Sequence, residues 1–209
     1  MTRRLDAAVV CQAASVLLQF PDESVRGRVP LVTKAVAALS PGRPRAALSA
    51  FLAHVARTPP RELAEHYVAT FDRRRRCCLY LTWWTDGETR RRGQSLAVLK
   101  ERYRRRGLEL GSSELPDYLP VVLEYAATGD LTDGLALLQE HRAGVELFRL
   151  ALRDARSPYA DVVQAVCALL PGPSPQDRVA AQRLAQAGPP TETVGLEPYA
   201  VGPIGAGPR

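Results

Sequence analysis

Apolar residues recur every three to four positions along most of the chain, which is the spacing of one face of an α-helix. Leu5, Val9 and Val16 form such a face near the start, and Leu99 and Tyr103 belong to a later one. No segment shows the strict alternation of apolar and polar residues that is typical of a half-buried strand. The pattern therefore predicts an all-α protein.

Prolines and glycines mark where these helices begin and end. Pro30, Pro44 and Pro60 lie at positions typical of a first helical turn, and Gly107 and Gly129 lie where helices commonly end. We expect about ten helices. They cover residues 5–20, 30–40, 44–57, 60–85, 88–106, 116–128, 131–142, 144–156, 158–170 and 175–187.

Two stretches break this regular pattern. Residues 107–120, GLELGSSELPDYLP, hold two glycines, two serines and two prolines, which predicts a loop. A subdomain division near 107–116 would follow from it. The stretch after Gly188 is rich in proline and glycine and has little to bury, so we expect a flexible tail over 189–209. The remainder, 1–188, is predicted to be a single all-helical domain.

The overall composition is that of a soluble globular protein, with 46% hydrophobic and 24% charged residues. The net charge is +6, and residues 70–106 alone hold twelve Arg and Lys against four Asp and Glu, a local net charge of +8. The apolar run near the N-terminus is interrupted by Asp6, Gln12 and Gln19, so it resembles an amphipathic helix more than an export signal. We therefore expect a cytoplasmic protein without stable membrane association.

Cysteine and histidine spacing gives no support for an enzyme or a metal site. The four cysteines, at 11, 77, 78 and 167, lack the spacing of zinc or thioredoxin-like motifs, and we expect free thiols. Adjacent cysteines within a regular helix cannot easily form a disulfide bond. The three histidines lie on different predicted helices, and no phosphate-binding loop or nucleophile elbow is present. We predict no catalytic residues, no bound metal and no cofactor.

A basic segment interleaved with aromatic residues also raises the alternative of a helical regulator that binds nucleic acid. Against it, the four arginines at 73–76 would spread around most of a helix rather than form one stripe. The continuation through Cys77, Leu79, Leu81 and Trp83 is too apolar for an exposed face. We expect no nucleic-acid partner and expect the arginines to form a solvated, ion-paired face of a helix.

Three stretches of the chain carry a resemblance to a known family. They are YVATFDRRRRCCLYLTWWTDGETRRRG from Tyr67, ELPDYLPVVLEYAA from Glu114, and the helical run ending in SPYADVVQAVCALLP at Pro171. The ordered motifs F-D-R, D-G-E-x-R-x-R-G and E-L-P-D-x-L-P resemble those of the NarJ group of nitrate reductase assembly chaperones, within the TorD-like family of molybdoenzyme chaperones. The resemblance covers about residues 5–171.

The resemblance implies an all-α, single-domain chaperone. Its implied partner is the apo catalytic subunit of respiratory nitrate reductase, bound through the N-terminal segment and held competent for molybdenum cofactor insertion. The chaperone itself would be a monomer that binds no cofactor. A chaperone of the same fold that serves another molybdoenzyme is the nearest alternative.

The residues that would bind the client form two groups. An acidic surface would come from Glu114 and from a helical face that includes Asp117, Val121 and Glu124. It would orient a leader peptide that carries basic residues. An apolar trough would take the hydrophobic side of the peptide. We predict that its lining is Tyr67, Phe71, Leu79, Tyr80, Trp83, Tyr118, Leu119, Leu123 and Tyr125.

Other residues in the motifs suggest structural roles. Asp72 and Arg73 are candidates for an internal ion pair, and Arg90 and Arg92 are candidates for pairing with the acidic E-L-P-D loop. Tyr118 stands where the family often has histidine. Because tyrosine has a reference pKa of about 10, it would stay neutral, and we expect no proton-dependent switching at this position.

Overall fold

The computed structural model describes residues 2–87, 89–111 and 114–187, and in this part of the chain every regular element is a helix, which confirms the predicted all-α class. It contains eleven α-helices where the sequence predicted about ten. They are α1 (Thr2–Leu17), α2 (Glu23–Ala37), α3 (Arg43–Arg57), α4 (Pro60–Tyr67), α5 (Leu81–Asp86), α6 (Arg90–Arg105), α7 (Leu119–Glu124), α8 (Leu131–Glu140), α9 (Arg142–Asp154), α10 (Tyr159–Cys167) and α11 (Arg178–Ala187). Turns of π-helix, Val68–Asp72 and Tyr125–Gly129, continue α4 and α7.

Capping residues fix the starts of the early helices. Pro44 and Pro60 lie in the first turns of α3 and α4, as expected for residues whose missing N–H costs nothing there. The predicted start of a helix at Pro30 is wrong. Helix α2 begins seven residues earlier, because the carboxylate of Asp22 accepts a hydrogen bond from the backbone N–H of Val25 at 2.8 Å.

The predicted continuous helix over 60–85 is also wrong. After the π-helical turn ends at Asp72, residues 73–80 form a loop. The backbone N–H of Leu81 donates to the carbonyl of Asp117 at 2.9 Å, and the N–H of Leu119 donates to the carbonyl of Leu79 at 2.8 Å. These bonds tie the end of the loop to a distant segment. The arginine run and the adjacent cysteines therefore lie in a loop and not on a helix.

The second break follows the prediction more closely. Helix α6 ends before Gly107, whose φ of +75° lies in the left-handed region that favours glycine. Residues 107–111 and 114–118 are non-helical, and α7 begins at Leu119, three residues later than expected. The subdomain division near 107–116 stays a prediction, and the predicted tail at 189–209 lies outside the described residues.

Helix α1 lies at the centre of the packing. It contacts α2, α7 and the π-helical turn after α7, and α10 packs against α1, α3 and α9. Cys11, Ala14 and Leu18 of this region are fully buried. Gly134 of α8 allows the closest approach, since a Cβ atom there would lie 2.4 Å from the Cβ atom of Ala126. The π-helical turn thus rests directly on the backbone of α8.

A buried charged group fixes the C-terminal part of the described chain. The guanidinium Nε of Arg149 donates to the carboxylate of Glu146 at 2.7 Å, and both side chains are almost completely inaccessible to solvent. The guanidinium of Arg142 donates to the carbonyl of Gly172, and that of Arg149 donates to the carbonyl of Pro175. The charges are therefore used to hold the loop before α11 against α9.

Candidate functional site

Six of the residues predicted to form the trough surround one surface pocket of about 240 Å³, which we call the aromatic pocket. They come from the end of α4 and its π-helical turn, from the 73–80 loop with α5, and from the segment before α7. The complete lining is Tyr67, Phe71, Asp72, Arg74, Arg75, Cys78, Leu79, Tyr80, Trp83 and Tyr118. The pocket therefore joins segments that are about 50 residues apart in sequence.

The first wall is held by contacts to the protein core. Tyr67 and Phe71 are four residues apart and their ring centroids lie 4.6 Å from each other. The Tyr67 hydroxyl donates a hydrogen bond to the carbonyl of Leu18 at 3.2 Å, while the ring of Phe71 packs on Tyr159 with centroids 4.8 Å apart. These contacts fix the orientation of both rings.

The second wall depends on the backbone pairing described above. An isolated antiparallel bridge joins Tyr80 to Tyr118, and it places their ring centroids 5.5 Å apart. The Arg92 guanidinium lies over the Tyr80 ring, 5.5 Å from its centroid. Burial raises the pKa of both phenols above the ordinary value, so the tyrosines are neutral at physiological pH.

Asp117 of the E-L-P-D motif links the two sides of this bridge. Its carboxylate Oδ2 accepts hydrogen bonds from the hydroxyl of Thr82 at 2.5 Å and from the backbone N–H of Thr82 at 3.3 Å. Arg92 donates to the same oxygen at 3.4 Å and to the Thr82 hydroxyl at 3.1 Å. Asp117 therefore fixes the start of α5, which carries Trp83, against the segment that carries Tyr118.

The predicted acidic surface is wrong for Asp117. This side chain is 0% exposed, whereas Glu114 and Glu124 are exposed. Because α7 begins at Leu119, residue 117 is not on the helical face that the sequence suggested, and Val121 is buried as well. The carboxylates do not form one continuous surface. Glu114 and Glu124 remain predicted client contacts, whereas Asp117 is buried and has Thr82 and Arg92 as its partners.

Three predicted trough residues do not line the aromatic pocket. Leu119 and Leu123 are completely buried in the core. Tyr125 packs on Tyr103 and donates its hydroxyl hydrogen to Asp133 at 2.5 Å, so it belongs to the contact with α6 and α8. The reason is the same for all three residues. An aromatic or aliphatic residue on or beside a short helix has the same sequence signature on the core side as on the groove side.

The predicted ion pair between Asp72 and Arg73 is not formed, and both side chains are exposed. Arg90 is also exposed at the start of α6, whereas Arg92 makes the contacts to Asp117 described above. Further along α6 the arginines are ion-paired. Arg102 donates to Asp133 at 2.8 Å and Arg104 donates to Glu101 at 2.8 Å.

Several residues at the pocket were not anticipated from sequence. Arg74, Arg75 and Cys78 line it, and Phe20 packs edge-on against Tyr67 with centroids 5.5 Å apart. Phe20 is 45% exposed, which is unusual for a large aromatic side chain, and it lies next to Tyr67 of the pocket lining. Phe20 lies three residues after the end of α1, and nothing in its local sequence separates it from an ordinary core residue.

The cysteines and the other potential metal ligands show no sign of a reactive or metal-binding site in the described residues. All four cysteines are free, and burial raises the pKa of Cys11 to about 12 and raises that of Cys78 above its usual value. Within the ranges the structure covers, no group of His, Cys, Asp and Glu could hold a metal ion. None of the helices in those ranges is both long enough and apolar enough to cross a membrane.

Comparison with known proteins gives a family and several relatives. The family model for the nitrate reductase delta subunit matches residues 37–165. The nitrate reductase-like protein NarX of Mycobacterium tuberculosis is 40% identical over 159 residues, which cover 76% of this chain. The match spans only 24% of the length of NarX.

Two further relatives are named as assembly chaperones. The probable nitrate reductase molybdenum cofactor assembly chaperone NarJ of Bacillus subtilis is 32% identical over 165 residues, covering 79% of this chain and 90% of that protein. The nitrate reductase molybdenum cofactor assembly chaperone NarJ of Escherichia coli K12 is 33% identical over 148 residues, covering 70% of this chain and 63% of that protein.

A solved structure shares the fold. The crystal structure of a protein from Archaeoglobus fulgidus, provisionally described as a redox enzyme maturation protein, matches with a TM-score of 0.58 and 18% sequence identity. The match covers 77% of this chain and 91% of the other. Because the family model covers more than half of the chain and the Bacillus subtilis protein aligns over nearly its whole length, this chain belongs to the nitrate reductase delta subunit family.

Proposed function

We propose that this protein is an assembly chaperone that binds the N-terminal segment of the apo catalytic subunit of respiratory nitrate reductase. It would hold that subunit competent for insertion of the molybdenum cofactor. The observation that supports this best is the aromatic pocket, in which the rings of Tyr80, Trp83 and Tyr118 line an open cavity. Aromatic side chains bury a large area at low entropic cost, which suits recognition of a peptide.

The proposed mechanism is conformational and not catalytic. A chaperone that binds the immature subunit better than the mature one shifts the population toward the immature form. Its affinity would be lost when the cofactor-loaded subunit folds over its own N-terminal segment. The protein would act in the cytoplasm as a monomer and would need no cofactor of its own.

Calorimetric titration with a synthetic peptide tests this function. The peptide is the N-terminal segment of the nitrate reductase catalytic subunit from the same organism, and a scrambled peptide and a DNA duplex serve as controls. We expect saturable binding of the native peptide alone. A protein that binds the duplex and neither peptide would be a nucleic-acid-binding protein and would refute the proposal.

Variants of the pocket locate the binding site. Replacing Tyr80 and Trp83 together by alanine should weaken peptide binding by at least about tenfold, because truncated aromatic hot spots commonly cost 2 kcal/mol or more. Leu31→Ala is the matched control, since Leu31 is 70% exposed on α2 and lies outside the pocket. Equal affinities in the two variants, both folded by circular dichroism, would exclude the aromatic pocket as the site.

A further inference from the structure

Arginines of the 73–80 loop separate the aromatic pocket from a second cavity. This second cavity has a volume of about 340 Å³, and we call it the basic cavity. The loop forms one side, and the C-terminal end of α9 and the first turn of α11 form the other. Its lining is Arg74, Arg76, Cys77, Ala151, Asp154, Ala155 and Arg178. Arg74 lines both cavities, so a single short segment of a partner could reach both of them.

The positive charge in the basic cavity exceeds the negative charge available there. Asp154 is the one carboxylate in its lining, and it already accepts hydrogen bonds from Arg178 at 2.7 and 3.2 Å. Arg74 and Arg76 form no ion pair with any described residue, and both side chains are exposed. The Cys77 thiol adds no compensating charge, because burial raises its pKa in spite of the neighbouring guanidinium groups.

This excess contrasts with the arginine cluster at the end of α6. There, Arg104 and Arg105 both pair with Glu101, at 2.8 and 3.2 Å. Arg106 pairs with Asp130 in the same region. Among the described residues, the arginines at the end of α6 are therefore ion-paired, whereas Arg74 and Arg76 beside the aromatic pocket are not.

The shape of the basic cavity favours a small anionic group. Ala151, Ala155 and Cys77 supply short side chains, which leave space between the guanidinium groups. A guanidinium presents a planar set of donors that matches the two oxygens of a carboxylate. Asp72 is a carboxylate in the lining of the aromatic pocket, and it would repel a negative charge placed there. A negatively charged group of a partner is therefore better placed in the basic cavity, on the other side of Arg74.

We propose that the basic cavity receives an Asp or Glu side chain of the client segment whose apolar residues occupy the aromatic pocket. The client segment would therefore be amphipathic, with a carboxylate a few residues from its apolar anchor. This inference rests on the proposed function. It adds a carboxylate of the client to the basic residues that Glu114 and Glu124 are predicted to meet.

The test compares two double variants that remove the same charge from different places. Arg74→Gln with Arg76→Gln removes two of the three arginine charges that line the basic cavity, and Arg104→Gln with Arg105→Gln is the matched control. The probes are the native client peptide and the same peptide with every Asp and Glu replaced by Asn and Gln. We expect the first variant to weaken native peptide binding by roughly fivefold or more and the control to change it by less than about twofold.

The neutralised peptide should bind the unaltered protein more weakly, and the Arg74 and Arg76 variant should weaken it no further. Equal losses in both double variants, or no loss in either, would overturn the inference while leaving the proposed function in place. No binding of the native peptide to the unaltered protein would remove the proposed function, and the inference with it. Binding of a DNA duplex that is lost only in the Arg74 and Arg76 variant would assign the basic cavity to nucleic acid instead.

Discussion

Replacing Asp117 by alanine tests whether this residue holds the aromatic pocket together or contacts the client directly. The carboxylate is completely buried and accepts three hydrogen bonds, two from Thr82 and one from Arg92. Alanine would leave the backbone N–H and hydroxyl of Thr82 without their acceptor, and Thr82 is itself 0% exposed. The cost should therefore appear in the stability of the folded protein.

The size of the effect follows from these contacts. A buried polar group left without a partner costs about 1–3 kcal/mol, and removing one member of a buried ion pair costs about 3–5 kcal/mol. The Arg92 side chain is 25% exposed and keeps its hydrogen bond to Thr82 in the variant, so the loss of its ion pair costs less than that of a fully buried pair. The second carboxylate oxygen, Oδ1, has no hydrogen-bond partner among the described residues, which reduces the net stabilisation that Asp117 contributes to the folded protein. We expect Asp117→Ala to reduce the free energy of unfolding by about 3 kcal/mol.

Urea denaturation at neutral pH measures this change, and Asp117→Asn and Glu114→Gln complete the series. The asparagine variant should lose less, about 1–2 kcal/mol, because its amide oxygen can still accept from Thr82. Glu114→Gln should stay within about 0.5 kcal/mol, since Glu114 is exposed on the same motif. An Asp117→Asn protein of unchanged stability with weakened client binding would refute the reasoning, because that is the behaviour of a direct peptide contact.

Two further predictions concern packing and pH. In urea denaturation, Gly134→Ala should lower the free energy of unfolding by about 2–3 kcal/mol, because the new methyl group overlaps Ala126. Gly27→Ala should raise it by about 0.5–1 kcal/mol, because Gly27 lies in α2 with no atom near the position of the new methyl group. Burial and the nearby charges of His54 and Arg74 lower the pKa of His66 in the folded protein. The folded state therefore favours the neutral imidazole more than the unfolded state does. This contribution to the free energy of unfolding is fully present above about pH 6.5, the ordinary pKa of histidine, and is lost as the pH falls below that value. Thermal unfolding between about pH 7.5 and 5.5 should therefore depend less on pH in His66→Gln than in the unaltered protein, and equal slopes would contradict this account.

Most of the helical architecture could be predicted because it depends on local signals. Apolar spacing locates most of the helices, and first-turn prolines locate the starts of α3 and α4. The loop at 73–80 could not be predicted in this way. Its residues fit a helical pattern, and they leave that conformation because Leu79 and Leu81 form backbone hydrogen bonds to Leu119 and Asp117, more than 30 residues away. Local spacing carries no information about such a partner.

Some residues of the candidate site could likewise be predicted from local sequence, and others could not. Tyr67 and Phe71 lie on one helical face and Tyr80 lies in an aromatic-rich run, so their sequence surroundings suggest an aromatic cluster. The same reasoning placed Leu123 in the trough and Asp117 on the surface, although both are completely buried. Sequence spacing specifies which residues share a face, but burial depends on what the rest of the chain places over that face.

The way the pocket is built has a consequence for the proposed mechanism. Its two walls come from separate segments and are joined by one backbone bridge between Tyr80 and Tyr118, with Asp117 beside it. A pocket that is already formed before the client arrives loses less conformational entropy on binding. The 73–80 loop that carries Arg74 ends at this bridge, and Arg74 lines both the aromatic pocket and the basic cavity. Under the two proposals, adjacent cavities that share Arg74 would select a client segment by the spacing between its apolar anchor and its carboxylate, which neither cavity could do alone.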